Sequence, residues 1–290
     1  MEKTLFSGVC TALVTPFLEG KINYPMLETL LDRQIASGIG CVVLCGTTGE
    51  SPTLSDAEKI SLFSYAKKFT GNRCSILAGT GSNNTKHVVD LSRAAEDAGA
   101  DGLLVVSPYY NKATSDGLYE HYIAVASSVH IPVIIYNVPS RTGQDIPVEV
   151  YQRLSQIPNI VGVKEASADI KKFLKIKAVC PSDFTVWSGN DDMIVPAISL
   201  GSAGVISVIS NVYPTQAIAM ADAALNGDFS TAAAIQIQMQ PFIELLFSEV
   251  NPIPVKAAMK LIGYDCGECR LPLTSASEKL LDRLKSTLVQ

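Results

Sequence analysis

Eight short runs that are apolar on both faces, each followed by a longer amphipathic stretch, leave this chain few folds to choose from. The runs are Val9–Val14, Cys41–Leu44, Ser75–Ala78, Gly102–Val106, Val133–Asn137, Ile160–Lys164, Thr185–Ser188 and Gly204–Ser207. A strand with no polar face is buried on both sides, as in parallel sheets covered by helices. The intervening stretches predict helices near 24–37, 55–69, 84–98, 115–128, 147–155, 169–179 and 191–199. Several open on a capping signal, such as Ser55-Asp-Ala-Glu58, in which each end satisfies an orphan backbone donor. Eight such units in about 210 residues fit a closed (β/α)8 barrel better than an open doubly wound sheet. The remainder carries no strand signal and reads as helices near 215–226, 229–248, 252–262 and 275–287. The expected organisation is a barrel over residues 1–210 and a C-terminal helical region, 211–290, packed on it as one structural unit.

Composition narrows the partners. Only 18% of the 290 residues are charged, below the usual ~25%, which suggests a large interior extended by subunit interfaces. The net charge is −5, with no basic run of five or more, so a nucleic-acid partner has no electrostatic footprint. Seven scattered cysteines, an odd number, read as reduced and buried thiols in a reducing compartment. Cys266-Gly-Glu-Cys269 is a lone CxxC with no second pair to complete a metal site. The opening Met-Glu-Lys and the polar breaks at Ser7, Thr11 and Thr15 make a poor secretion signal. Met193 to Ala221 is uncharged, yet Pro196, Gly201, Gly204 and Pro214 interrupt it, so it reads as buried helix, strand and loop rather than a membrane span. The expected location is cytoplasmic.

In a barrel the residues just past each strand converge on one face, where active sites are built. The second strand runs into Gly46-Thr47-Thr48-Gly49-Glu50-Ser51, whose hydroxyls and exposed N–H groups suit a carboxylate, or form an ordinary polar loop. The third ends in Gly79-Thr-Gly-Ser-Asn-Asn84, a GxGxxG pattern lacking its last glycine and too weak to support a dinucleotide. Tyr109 and Tyr110 follow the fourth strand, and Tyr136 and Arg141 lie at and after the fifth. Tyrosines there can carry protons, and an arginine can grip a carboxylate through two hydrogen bonds. Rim aromatics and a solvated arginine are the plainer readings.

The sixth strand, Ile160-Val-Gly-Val-Lys164-Glu-Ala-Ser, puts a lysine where a core residue belongs. Burying an ammonium is costly, so such a lysine either gives up its proton or finds a carboxylate. Glu165 is poorly placed for that pairing, because adjacent strand residues point to opposite faces. A desolvated lysine amine is poised to attack a carbonyl, and a structural ion pair is the rival reading. Metal-dependent aldol chemistry lacks the inventory: His87, His121 and His130 all fall on helices or a helix end, with no HxH or HExxH spacing. No GxSxG elbow follows a strand, so a serine hydrolase is unsupported.

Taken together, GTTGES at 46–51, YNVP at 136–139 and GVKEAS at 162–167 resemble the family of pyruvate-dependent class I aldolases that includes dihydrodipicolinate synthase and N-acetylneuraminate lyase. The likeness covers essentially the whole chain and implies a (β/α)8 barrel with a C-terminal helical extension, a homotetramer built from tight dimers, and no metal or nucleotide cofactor. It implies that Lys164 forms an imine with pyruvate, that Tyr136 moves protons there, and that Thr47 links Tyr136 to Tyr110 of a neighbouring subunit. Thr48 and the Ile206 backbone would hold pyruvate's carboxylate. Ser140-Arg141-Thr142-Gly143 is similar to the synthase branch, whose arginine holds the carboxylate of L-aspartate 4-semialdehyde. The alternatives are an aldol lyase acting on another 2-keto acid and a barrel kept as a non-catalytic binding protein.

The same resemblance maps a lysine effector pocket onto Ser51, Pro52, Asp56, Lys59, Asn83, His87 and Tyr109. Lysine-sensitive members place a glutamate where this chain has His87, and Lys59 adds a second positive group. Weak or absent inhibition by L-lysine is therefore expected, unless Asp56 supplies the missing carboxylate.

Overall fold

The computed structural model describes residues 5–288. Eight parallel strands close into a barrel: β1 (Gly8–Ala12), β2 (Cys41–Leu44), β3 (Ser75–Gly79), β4 (Gly102–Val106), β5 (Val133–Asn137), β6 (Ile160–Glu165), β7 (Thr185–Ser188) and β8 (Gly204–Ser207). Each pairs with its sequence neighbours, and β8 closes onto β1 from Gly8↔Gly204 to Thr11↔Ser207. All eight expected strands are present. The first ends at Ala12 rather than Val14, although the Leu13 N–H still donates to the Val43 carbonyl at 3.0 Å.

Outside the barrel lie α1 (Tyr24–Ala36), α2 (Asp56–Thr70), α3 (Thr85–Asp97), α4 (Ser115–Ala126), α5 (Val148–Leu154), α6 (Ile170–Val179), α7 (Ile194–Ser199) and α8 (Pro214–Leu225). The Ser55 hydroxyl accepts the Glu58 N–H while the Glu58 carboxylate accepts the Ser55 N–H, completing the capping box that starts α2. Besides short 3-10 turns such as Ser51–Thr53 and Ile209–Asn211, two elements among the described residues go beyond the sequence reading. One is a hairpin, Phe17–Leu18 with Lys21–Ile22, turning through Glu19 and Gly20 at φ 50° and 75°. The other is a single helical turn, Pro139–Thr142, too short to leave a periodic signal.

Two cores share the barrel wall. Alternate strand residues such as Leu103, Val105, Ile135 and Val163 face the helices, while Cys10, Val43, Leu77, Leu104, Ile134 and Ile206 fill the barrel. Trp187 is buried within, its indole N–H donating to the Phe6 carbonyl at 3.2 Å with the Phe6 ring stacked on it. The uncharged stretch from Met193 to Ala221 divides into α7, β8, a turn and the start of α8. No helix among the described residues is long and apolar enough to cross a membrane.

The helix α8 packs on β1 and β8, in the place of the eighth barrel helix. Beyond it come α9 (Phe229–Leu246), α10 (Ile253–Leu261) and α11 (Glu278–Leu288), each packed on the others. We propose that barrel and appendage are one structural unit, with the appendage beginning after Leu225. It reaches back to the loop after β2: the Lys256 ammonium meets Glu50 at 2.8 Å, and the Arg270 N–H donates to the same carboxylate at 2.9 Å. Glu50 is buried in a left-handed backbone conformation, φ 58°, so this pairing neutralises a charge the fold has taken out of water.

Candidate active site

The pairing of β5 with β6 steps from Val133↔Ile160 to Ile134↔Gly162, leaving Val161 as an extra residue on β6. Such a bulge re-aims every side chain beyond it. It brings Lys164 opposite Tyr136 and Glu165 opposite Asn137; an unbroken register would have set Val163 against Tyr136. Gly162 makes the step possible, since a Cβ there would lie 2.0 Å from the Thr185 carbonyl oxygen and 2.9 Å from the Trp187 ring.

Lys164 is 5% exposed, and its ammonium lies 4.4 Å from the centroid of the Tyr136 ring. No carboxylate among the described residues comes within ion-pairing distance of it. The neighbouring Glu165 points outward instead. Its carboxylate accepts from Asn137 Nδ2 at 2.9 and 3.1 Å, from the Tyr151 hydroxyl at 3.2 Å and from the Ser167 N–H at 2.8 Å, with the Lys172 ammonium 3.9 Å away. Burial pushes the Glu165 carboxyl above its ordinary value, and the Lys172 charge and these hydrogen bonds oppose that. The two lysines thus divide the two readings: Lys172 is the structural ion pair, shared with Asp145, and Lys164 stands apart from it.

A cavity of about 450 Å³ opens over Lys164, lined also by Thr47, Thr48, Tyr136 and Arg141. Thr48 is buried, its hydroxyl accepting a hydrogen bond from Asn251 Nδ2 at 3.0 Å. Arg141 rides on the Pro139–Thr142 turn, and among the described residues Nη2 has only a long 3.5 Å contact to the Asn251 carbonyl. Its guanidinium keeps most of its donors available. Ile206 is buried on β8 inside the barrel, while Val208, two residues on, reaches the cavity. Tyr110 is not brought in. It is 92% exposed, at φ 70°, and lines neither cavity of this chain.

A second cavity, of about 560 Å³, shares Thr47, Tyr136 and Arg141 with the first. Ser51, Pro52, Asp56, Lys59, His87 and Tyr109 line it, six of the seven residues mapped to an effector pocket. Asn83 does not; its carbonyl accepts from Asn111 Nδ2 at 3.0 Å.

Three residues that the sequence reading passed over belong to the Lys164 cavity. Asp191 is 2% exposed; Oδ2 accepts the N–H groups of Val208 and Ile209 at 3.0 and 2.9 Å, fixing the chain as it leaves β8. Burial raises its carboxyl, against those hydrogen bonds and the Lys164 charge. Gly189 makes room for the lysine stem: a Cβ there would lie 2.5 Å from Ala166 Cβ and 3.0 Å from Lys164 Cε. Both follow β7, so the position rule for barrels could have found them. Asn251 comes from the appendage, and no strand-end rule reaches it. Burial pushes the Cys266 and Cys269 thiols up to about 12, which leaves them protonated and unreactive near neutrality.

The sequence matches the Dihydrodipicolinate synthetase family over residues 5–290. It is 46% identical over 288 residues to the 4-hydroxy-tetrahydrodipicolinate synthase of Acetivibrio thermocellus, covering 99% of this chain and 98% of that one. The crystal structure of dihydrodipicolinate synthase from Aquifex aeolicus superposes with a TM-score of 0.96 at 42% identity, over 98% of this chain and 97% of that one. A chloride-inhibited dihydrodipicolinate synthase from Acinetobacter baumannii, crystallised with pyruvate, superposes at 0.95 with 38% identity, over 98% of each chain. Barrel, buried strand lysine and full-length similarity agree, and the chain belongs to the dihydrodipicolinate synthetase family.

Proposed function

We propose that this chain is a lyase that condenses pyruvate with L-aspartate 4-semialdehyde to 4-hydroxy-tetrahydrodipicolinate, the committed step towards diaminopimelate and lysine. The observation that carries the reading is Lys164: a buried amine at the floor of a cavity, over the Tyr136 ring and with no carboxylate partner. The amine adds to the keto carbon of pyruvate and water leaves, giving a protonated imine. Loss of a methyl proton then gives the enamine, the imine nitrogen taking up the electron pair. The enamine carbon attacks the semialdehyde's aldehyde carbon, whose oxygen takes a proton. The product's own amine then displaces Lys164 and closes the ring.

Each neighbour has a role in that sequence. Tyr136 donates and accepts protons at the imine, relayed through Thr47 to Tyr110 of a second copy. Thr48, oriented by Asn251, holds pyruvate's carboxylate together with the backbone at Ile206. Arg141, with its donors largely available, receives the carboxylate of the semialdehyde. The exposure of Tyr110 favours an assembly in which it fills a neighbour's site, and we take that assembly to be a homotetramer of tight dimers, working in the cytoplasm.

Borohydride tests the reading directly. Reduction in the presence of pyruvate fixes the imine, so the protein gains one pyruvate-derived adduct and peptide mapping places it on Lys164. Adducts elsewhere, or none at saturating pyruvate, would overturn the mechanism.

A further inference from the structure

Among the described residues, Asp191 is the buried carboxylate on the wall of the Lys164 cavity, and no step proposed for Lys164 uses it. Three elements fix it. It follows β7, its Oδ2 accepts the Val208 and Ile209 N–H groups at the exit of β8, and its carbonyl accepts from Gln236 Nε2 of α9 at 3.0 Å. Gln236 is itself buried, and its Oε1 accepts the Val195 N–H at 3.4 Å. Asp191 Oδ1 has no hydrogen-bond partner among the described residues. A buried acceptor left in that state is costly, so packing alone does not account for the group. The other charged and titratable groups on the cavity wall are Lys164, Tyr136, Arg141, Asp192 and Glu244. Asp192 and Glu244 are exposed, and water screens them. Glu165, beside Lys164 in the chain, is taken up on the outer face with Lys172. Inside the cavity that leaves the Asp191 carboxylate and the Lys164 amine, both buried and beyond ion-pairing distance of each other. Burial raises the Asp191 carboxyl, while the Ser207 hydroxyl, the two N–H groups and the Lys164 charge pull it back down.

We propose that Asp191 is a positioning residue for the imine: a fixed negative charge, set apart from Lys164, that favours the positively charged forms of that nitrogen. The inference rests on the proposed function, since the imine is the charge it serves. A carboxylate in contact with the amine would hold it as an ammonium and occupy the space that pyruvate's keto carbon must enter. A carboxylate held apart does neither, and in a site shielded from water its field still reaches the nitrogen. Backbone N–H groups fix that charge before the reaction, so nothing has to reorganise when the imine forms. The same carboxylate anchors the chain two residues beyond Ile206, whose backbone is proposed to hold pyruvate's carboxylate. The charge balance makes the role distinctive. An ammonium plus pyruvate gives a protonated imine plus water, and the charge on nitrogen is unchanged. A neutral amine must take up a proton as well, so a positive charge appears on nitrogen as water leaves. Asp191 therefore matters to pyruvate affinity only where the free amine has lost its proton.

Asp191→Asn keeps an acceptor for the two backbone N–H groups and removes the charge. The test is borohydride trapping with pyruvate across pH, on the full-length protein, with thermal melts to check folding. The midpoint of adduct formation should move about one unit to lower pH than in wild type, because a nearby negative charge favours the protonated amine. Pyruvate affinity should be unchanged on the acid side of that midpoint and about 10-fold weaker on the alkaline side. Asp192→Asn, which removes the exposed neighbour, should leave the midpoint in place. Should Asp191→Asn not fold, the coupling is read from its other partner. In Lys164→Met, infrared spectra should show a buried carboxyl taking up its proton at higher pH than in wild type. An unshifted midpoint, equal weakening at every pH, or an equal shift in Asp192→Asn would overturn the assignment. So would a carboxyl titration unchanged in Lys164→Met. Failure of the imine mechanism shows separately, as absence of the adduct in wild type.

Discussion

Tyr136 and Lys164 oppose each other across two parallel strands because β6 carries one residue more than β5. The bulge at Val161 turns what would be an aromatic–valine contact into an amine seated 4.4 Å over a phenol ring. A cation over an aromatic face is stabilised by the ring's quadrupole. The same contact keeps the amine against the ring whose hydroxyl would exchange protons with its imine. Position along the chain, not only residue type, makes this pair.

Gly189→Ala tests how closely that pair is held. The added methyl would press on Ala166 and on the Lys164 stem at 3.0 Å. Overpacking of this kind costs about 1–3 kcal/mol, and a misplacement near 1 Å costs on the order of 100-fold in rate. The adduct-forming rate with pyruvate and borohydride should fall by that order while the far-ultraviolet spectrum is kept. A normal trapping rate would mean that Lys164 tolerates displacement.

Arg141→Ala should raise KM for the semialdehyde far more than for pyruvate. Among the described residues the guanidinium has only a 3.5 Å contact to the Asn251 carbonyl, so its removal leaves little structural damage behind. Losing a charge-assisted bidentate contact is worth about 2–3 kcal/mol. Steady-state kinetics with each substrate varied in turn make the measurement, and equal damage to both would assign Arg141 to architecture.

Tyr110→Phe should keep the pyruvate adduct and lose about 100- to 10,000-fold in turnover, the range of general acid–base contributions. Since Tyr110 lies outside its own chain's cavities, mixing this variant with Lys164→Ala should regain activity after subunit exchange. No regain in co-refolded mixtures would place the functional tyrosine elsewhere.

Acid sensitivity should trace in part to His121. Burial holds its imidazole down to about 4, against an ordinary 6.5, with Nδ1 2.9 Å from the Thr85 hydroxyl. The unfolded chain takes up the proton near 6.5 and the folded one only near 4. Stability is therefore full above 6.5 and is lost as pH falls from 6.5 to 4, by up to about 3 kcal/mol. Urea midpoints across that window should show a shallower decline in His121→Gln than in wild type. Parallel profiles would remove His121 from the account.

Much of this was legible in the sequence. Buried parallel strands announce themselves as apolar runs, so all eight barrel strands were placed within a residue or two. The lysine in β6 stood out because an ammonium does not belong in such a run. What stayed hidden depends on the third dimension. The bulge has one trace, Gly162, and a glycine in a strand does not say which neighbour it accommodates. Asn251 binds Thr48 from a helix boundary 203 residues away. Pro139–Thr142 is one turn long and has no period to detect. The resemblance marks Lys59 as a positive group on a pocket wall, but its deep burial with no partner among the described residues emerges only in three dimensions, where Asp56 turns to His87.

The clasp of Glu50 by Lys256 and Arg270 spans 206 and 220 residues of chain. During synthesis the loop bearing Thr47 and Thr48 emerges early, and the groups that neutralise its buried glutamate emerge almost last. A ribosome-bound chain halted before Lys256 therefore carries Lys164 and Tyr136, the residues proposed to act on pyruvate, and still lacks a settled loop around Thr47 and Thr48. Non-local contacts of this kind slow folding. A truncated product would accordingly be an incomplete protein rather than a smaller enzyme, and competence would arrive late, with the last helices.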